Sequence, residues 1–192
     1  MSYTDDYYNK RAKAENLRAR SYFKLEEIDL KFSLFKSAGA VLDLGAAPGS
    51  WSLYILKKYP GIKITGLDIK EIQPFKNDCY TYITGDVFSY QFPDNNPVFS
   101  VILSDMAPST SGIGITDASL SEELCLQTLS ICRKKLIPGG NAVMKYFQGS
   151  GSKEIKDACV KLFTEVKFFK PKSSRSNSRE IFIILKHFKN FS

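Results

Sequence analysis

Two hydrophobic rhythms alternate along the chain. Ala40–Leu44, Lys63–Asp68, Tyr80–Thr84, Val98–Leu103, Asn141–Phe147 and Glu180–Leu185 are short apolar or alternating runs bounded by Gly, Pro, Asn or Asp, and they read as strands. Longer stretches at helical spacing lie before and between them. Tyr7–Ala19 is helix-permissive, and Ser21–Lys31 carries Phe23, Leu25, Ile28 and Leu30 at positions suited to packing on a sheet. Gly49–Lys58 and Lys153–Phe163 are further helices. Asp117 or Ser119 can cap a long one reaching about Leu136, which Pro138-Gly139-Gly140 ends. Pro74 keeps one crossover short, Pro93–Pro97 and Pro171–Arg179 read as loops, and Ser109–Thr116 is Ser/Gly-rich. Strands alternating with helices predict an α/β fold on a mainly parallel sheet.

The most informative stretch is Ala40–Trp51, AVLDLGAAPGSW. An apolar strand breaks into a turn of small residues, and a helix follows, the front edge of a βαβ unit. Small side chains let a ligand approach the backbone, and the helix start offers unpaired N–H groups. Asp43, Asp68 and Asp86 fall at or near the carboxyl ends of successive strands, which line one crevice in such a sheet, and Asp105 extends the row. Acids beside a small-residue turn point to a ligand with ribose hydroxyls and a donor-bearing base. The middle glycine of a dinucleotide turn is replaced here by Ala47, with Pro48 after it, so a nucleoside fits better than a pyrophosphate.

Composition sets the frame. With 192 residues, 43% of them hydrophobic and 24% charged, the chain suits one globular domain. Residues 1–36 form a basic helical extension and 37–192 the core. The net charge of +7 raises the question of a polyanionic partner. Lys10, Arg11, Lys13, Arg18, Arg20 and Lys24 mix with Tyr7, Tyr8, Tyr22 and Phe23, a pattern that serves either a phosphate-contacting arm with stacking groups or a solvated helix with core aromatics. Cys79, Cys125, Cys132 and Cys159 are dispersed, with no CxxC and no histidine cluster, which argues against a zinc site and a disulfide framework and for a reducing compartment. The lone His187 has no partner motif and is read as structural or surface. No run approaches a membrane span, and MSYTDDYYNKRAK lacks the apolar core of a secretory leader. The expectation is an intracellular, monomeric protein of the cytoplasm, nucleolus or an organelle matrix, mitochondrion included.

Lys145 lies in the apolar run Ala142–Phe147, where an ammonium is costly unless paired, and Asp105 at the end of the preceding strand is the natural partner.

Five ordered motifs resemble the RrmJ/FtsJ family of S-adenosylmethionine-dependent RNA 2′-O-ribose methyltransferases. They are LRARSYFKLEEI (17–28), VLDLGAAPGSWS (41–52), LSDMAPSTSG (103–112), PGGNAVMKYFQG (138–149) and KPKSSRSNSREIFII (170–184), and together they span nearly the whole chain. The resemblance implies a Rossmann-like class I methyltransferase: a mostly parallel seven-stranded sheet with an antiparallel last strand and helices on both faces. It carries the family's Lys-Asp-Lys-Glu tetrad onto Lys24, Asp105, Lys145 and Glu180. It places the cofactor, S-adenosyl-L-methionine, at Asp43, Gly45, Pro48, Gly49, Trp51, Asp68, Asp86 and Asp105, with no metal. Ser50 departs from the bacterial rRNA enzymes, which have a second glycine there, and the tRNA-modifying branch tolerates serine. The DMAP, FQGSG-like and SREIFII segments look more like the rRNA branch, so the implied substrate is large-subunit rRNA, at a uridine, ahead of the tRNA anticodon loop.

On this reading Lys145 serves as the base, aided by the nearby cation Lys24 and partial burial, with Asp105 holding it and Glu180 orienting Lys24 or the ribose. Asp68 would accept from the cofactor ribose and Asp86 from the adenine amine. Arg18, Arg20, Lys172, Arg175 and Arg179, with Lys167 and Lys170, would wall an RNA channel. The rival readings are an NAD(P)-dependent oxidoreductase and a non-catalytic RNA-binding module on the same fold.

Overall fold

The computed structural model describes residues 3–73, 75–93, 99–108, 114–149, 151–175 and 177–190. The expected break at Pro74, most of the Pro93–Pro97 loop, Val98 and residues 109–113 lie outside them. The elements in order are α1 (Tyr3–Ala14), α2 (Ser21–Phe32), β1 (Ala40–Leu44), α3 (Ser50–Lys58), β2 (Lys63–Asp68), β3 (Tyr80–Thr84), β4 (Phe99–Ser104), α4 (Gly114–Lys135), β5 (Leu136–Phe147), α5 (Ser152–Leu162), β6 (Phe163–Phe169) and β7 (Glu180–Phe188). One seven-stranded sheet has the order β3-β2-β1-β4-β5-β7-β6. β3, β2, β1, β4 and β5 are parallel, and β7 runs antiparallel to both β5 and β6. Chain order reverses between β1 and β4, and in open α/β sheets the crevice at such a switch point is where ligands bind.

Both faces are covered, as a largely parallel sheet requires. Strand alternation sends Leu42, Leu44, Ile102, Ala142, Met144 and Ile183 against Cys125, Leu129 and Cys132 of α4 and Ile155, Cys159 and Leu162 of α5. The opposite residues, Val41, Val101, Leu103, Val143 and Ile184, meet Phe23, Leu25 and Ile28 of α2 and Trp51, Tyr54 and Ile55 of α3. α2 and α3 are stitched by Asp29, whose Oδ2 accepts from the hydroxyls of Tyr54 (2.7 Å) and Tyr59 (2.6 Å). All four cysteines are reduced, and burial pushes the thiols of Cys125, Cys132 and Cys159 up. Among the described residues no helix is long and apolar enough to cross a membrane.

Several boundaries differ from the sequence reading, each for a local reason. The first helix stops at Ala14 rather than Ala19. Asn16 turns left-handed (φ 51°), and the Asn16 and Leu17 amides donate back to the Lys13 and Ala12 carbonyls, the paired bonds of a Schellman stop. Residues 15–20 are therefore a linker, not helix. The strand expected at Asn141 begins at Leu136, because Leu136 pairs with Phe99 before a register shift lets Asn141 face Val101. β6, which the sequence reading left without an element, is held by pairing with β7.

Candidate active site

The turn after β1 is tied to the end of β2. The Gly45 and Ala46 amides donate to the Leu67 carbonyl at 2.9 and 3.2 Å. The Ala47 amide donates to Asp68 Oδ2 (2.9 Å), and the Lys70 amide to Asp68 Oδ1 (2.9 Å). The Ala47–Pro48 peptide is cis. Gly45 has φ +72°, and a Cβ there would stand 2.6 Å from Met106 Cγ, so glycine lets the turn lie against the segment leaving β4.

A cavity of about 650 Å³ opens at the carboxyl ends of the strands, lined by Gly45, Ala47, Asp68, Asp86, Asp105 and Glu123 among others. Among the described residues, Lys70 is the one basic group in a lining that carries Asp68, Asp86, Asp105 and Glu123. Such a pocket repels a pyrophosphate and favours a ligand with cationic groups and hydroxyl or amine donors. Its mouth carries Ile69 (67% exposed) and Phe88 (53% exposed), apolar walls of the kind that hold a planar base.

Beside it stand two buried ion pairs. Lys145 on β5 donates to the carbonyl of Asp105, and its Nζ lies 3.0 Å from Asp105 Oδ1. Lys24 on α2 lies 2.6 Å from Glu180 Oε1, at the start of β7, and the Ser174 hydroxyl donates to that same oxygen at 2.8 Å. Burial alone would raise the Glu180 carboxyl. The Lys24 ammonium outweighs it, with the Ser174 hydroxyl and Lys145 assisting, and holds the group below its ordinary value. The four expected tetrad residues, brought from α2, the end of β4, β5 and β7, thus share one neighbourhood.

Four of the expected cofactor residues lie outside the cavity lining. Asp43 does not line the cavity. As an inner residue of β1 it alternates toward α3, is fully buried, and accepts from the Ser52 hydroxyl at 2.7 Å; burial pushes its carboxyl up to about 7. The acids that share the crevice are Asp68, Asp86 and Asp105. Trp51 also lies off the cavity lining, 3% exposed; its indole donates to the Ser21 carbonyl (2.9 Å) and its ring packs 5.7 Å from Phe182. Pro48 is exposed and Gly49 buried, and both flank the cavity rather than line it.

The residues expected to meet RNA divide. Lys172, Arg175 and Arg179 are exposed on the loop before β7. Arg18 and Arg20 spend hydrogen bonds on the protein itself: Arg18 on the carbonyls of Pro48 and Gln73, Arg20 on that of Ser173.

A model of the FtsJ-like methyltransferase family matches residues 17–188, bringing the cofactor turn, the acids and both ion pairs under one pattern. The chain belongs to that family. A ribosomal RNA large subunit methyltransferase E from Nitratidesulfovibrio vulgaris (strain DP4) is 42% identical over 185 residues, covering 93% of this chain and 91% of its own. The protein of that name from Brachyspira hyodysenteriae (strain ATCC 49526 / WA1) is 39% identical over 191 residues, covering 98% of each. A crystal structure of a ribosomal RNA methyltransferase from Plasmodium falciparum superposes with a TM-score of 0.78 at 28% identity, over 89% of this chain and 98% of that one. Membership in an FtsJ-like methyltransferase family supports neither the oxidoreductase nor the non-catalytic reading.

Sequence reasoning missed three kinds of residue in this FtsJ-like site. Ile69 and Phe88 each follow an expected acid closely, a signal that was available. Ser174 lies six residues before Glu180, but nothing in a Ser-rich loop marks it. Glu27 accepts from the backbone amides of Lys172 (2.7 Å) and Ser173 (2.9 Å), a link across 145 and 146 residues that no local pattern announces.

Proposed function

We propose that this protein is an S-adenosylmethionine-dependent 2′-O-ribose methyltransferase acting on large-subunit ribosomal RNA, at a uridine. The observation that carries the reading is the adjacency of an acidic nucleoside-sized cavity to the Asp105–Lys145 and Lys24–Glu180 pairs. The names of the curated relatives direct it to rRNA.

The residues fit the cofactor. Asp68 is placed for the ribose hydroxyls, with each carboxylate oxygen holding only one backbone amide and a lone pair to spare. Asp86 at the rim suits the adenine amine, and Ile69 and Phe88 the faces of the base. Asp105 and Glu123 suit the positive charge of the methionyl end. When bound, S-adenosylmethionine supplies a methyl group already activated on sulfur.

The protein's task is then to place the ribose 2′-oxygen in line and take its proton. Lys145 Nζ is the acceptor in this reading. As it gains the proton, Asp105 offers a carboxylate and a carbonyl oxygen to the new ammonium. Glu180 holds Lys24 so that its charge faces the developing alkoxide. The N-terminal helices and the exposed Lys172, Arg175 and Arg179 would receive the RNA backbone. The site is built within one chain, consistent with a monomer of an intracellular compartment.

Methyl transfer from radiolabelled S-adenosylmethionine to isolated rRNA, assembled large subunits and tRNA tests this reading. Label confined to one 2′-O position of large-subunit rRNA is expected. Label in tRNA, or on a base, overturns it.

A further inference from the structure

Arg18 sits in the linker between α1 and α2, and its basic neighbourhood marks it as a phosphate contact. Its geometry is different. Nη1 donates to the carbonyl of Pro48, in the cofactor turn, at 2.8 Å, and Nη2 donates to the carbonyl of Gln73, between β2 and β3, at 2.6 Å. The guanidinium carbon lies 3.9 Å from the centroid of the Phe75 ring. Phe75 in turn packs edge-on against Tyr80, at the start of β3, with centroids 4.8 Å apart. Gly49, the residue before α3, has φ +100°, and a Cβ on it would stand 2.9 Å from both Arg18 Nη1 and Phe75 Cζ.

We propose that Arg18 is a positioning residue for the cofactor turn, a clamp that joins the turn after β1 to the segment that follows Asp68. This rests on the reading that the cavity takes S-adenosylmethionine. Three features give the clamp its shape. A planar, delocalised guanidinium can donate to two carbonyls at once while its face stacks on an aromatic ring. The carbonyls belong to segments 30 and 55 residues away from Arg18 in sequence, and the one guanidinium bridges both to the linker. Glycine at position 49 leaves the space that the guanidinium and ring occupy. The Ala47 amide of the turn donates to the Asp68 carboxylate, so an error in the turn is passed to the ribose site.

Calorimetric titration of RNA-free protein with S-adenosylmethionine and S-adenosylhomocysteine tests the clamp. Arg18→Ala is expected to raise both dissociation constants about tenfold, as loss of charged hydrogen bonds does. Arg18→Lys should rescue little, because an ammonium is a point charge without the fork or the stacking plane. In turnover at saturating RNA, KM for the cofactor should rise with the dissociation constant, while kcat stays within roughly twofold of wild type. Unchanged cofactor affinity in Arg18→Ala, or full rescue by Arg18→Lys, overturns the proposal, and a loss confined to RNA affinity makes Arg18 a phosphate contact. Should Arg18→Ala fail to fold, Phe75→Leu decides. It removes the stacking ring and leaves Arg18 in place, so cofactor affinity should fall, and an unchanged value overturns the clamp. Wild-type protein that binds neither ligand overturns the function itself, and the clamp with it.

Discussion

Lys145 and Phe182 face each other across the β5–β7 pair, and the Lys24 ammonium lies 5.6 Å from the centroid of that Phe182 ring. The antiparallel pairing thus aligns the two lysine side chains around one aromatic residue. Lys145 keeps its partner Asp105 on the β4 side, and Lys24 keeps Glu180 on the β7 side. Trp51 packs on the same ring from α3, so the helix that follows the cofactor turn is also referenced to this point. A ribose delivered here meets two lysine side chains whose carboxylate partners are already assigned.

Lys145→Met should separate binding from chemistry. The thioether fills the stem's volume but takes no proton, so methyl transfer should fall by at least about a hundredfold, as expected for loss of a general base. Affinity for S-adenosylmethionine should change little, since Lys145 is not among the cavity-lining residues. Single-turnover transfer and calorimetry measure the two quantities. A variant retaining wild-type transfer would remove Lys145 from the proton path.

Glu180→Gln should lower stability and change its acid dependence. Both side chains of the Lys24–Glu180 pair are about one-tenth exposed (10% and 11%). Removing one partner leaves the other charge buried, a loss of up to about 3 kcal/mol. Glu180 titrates below its ordinary value, so its contribution is complete above the unfolded pKa and disappears as pH falls through the lower folded one. Urea unfolding at pH values from 4.5, the ordinary value, downward should show wild type losing stability that the variant never had. Parallel curves in that window would disprove the assignment.

Asp43→Asn should have the opposite pH signature. Burial raises the carboxyl from 3.8 to about 7, so the folded state holds a proton that the unfolded chain releases. Wild-type stability must therefore decline as pH rises between those two values, and the deficit persists above the higher one. Asparagine can still accept the Ser52 hydroxyl bond and carries no charge to bury. Its stability relative to wild type should rise with pH across the window. A pH-independent difference would mean that Asp43 ionises normally.

Glu27→Ala should loosen the loop before β7. Its carboxylate holds the amides of Lys172 and Ser173, and charge-assisted bonds of this kind contribute about 1.5–3 kcal/mol each before allowance for partial exposure. Trypsin should cut after Lys172 or Arg175 faster than in wild type, and KM for RNA should rise while cofactor affinity holds. Unaltered proteolysis would show that the loop is secured elsewhere.

Much of this was legible in local pattern. The stretch from Ala40 to Lys58 declares a strand, a small-residue turn and a helix, and β1, β2 and β3 occupy the expected residues. Their boundaries follow from apolar runs closed by glycine or aspartate, which depend on neighbouring residues only. β6 was not read although FTEVKFF holds strand-forming residues, because its apolar positions do not alternate strictly and its pairing with β7 fixes it as a strand. The stop of α1 was equally hidden, since Asn16 adopts a left-handed conformation that many other residue types make costly.

The sequence by itself determined the α/β class, the ligand-binding turn, the acids after β2 and β3, and an ammonium in an apolar strand calling for Asp105. These are facts of periodicity and local chemistry. Only the tertiary structure decided the direction of each charged group: Asp43 turned beneath the turn against Ser52, Arg18 turned onto Pro48 and Gln73, and Arg20 turned onto a carbonyl 153 residues away. A cation's sequence neighbours record its charge, while the carbonyl or phosphate that it meets is set by packing between distant segments.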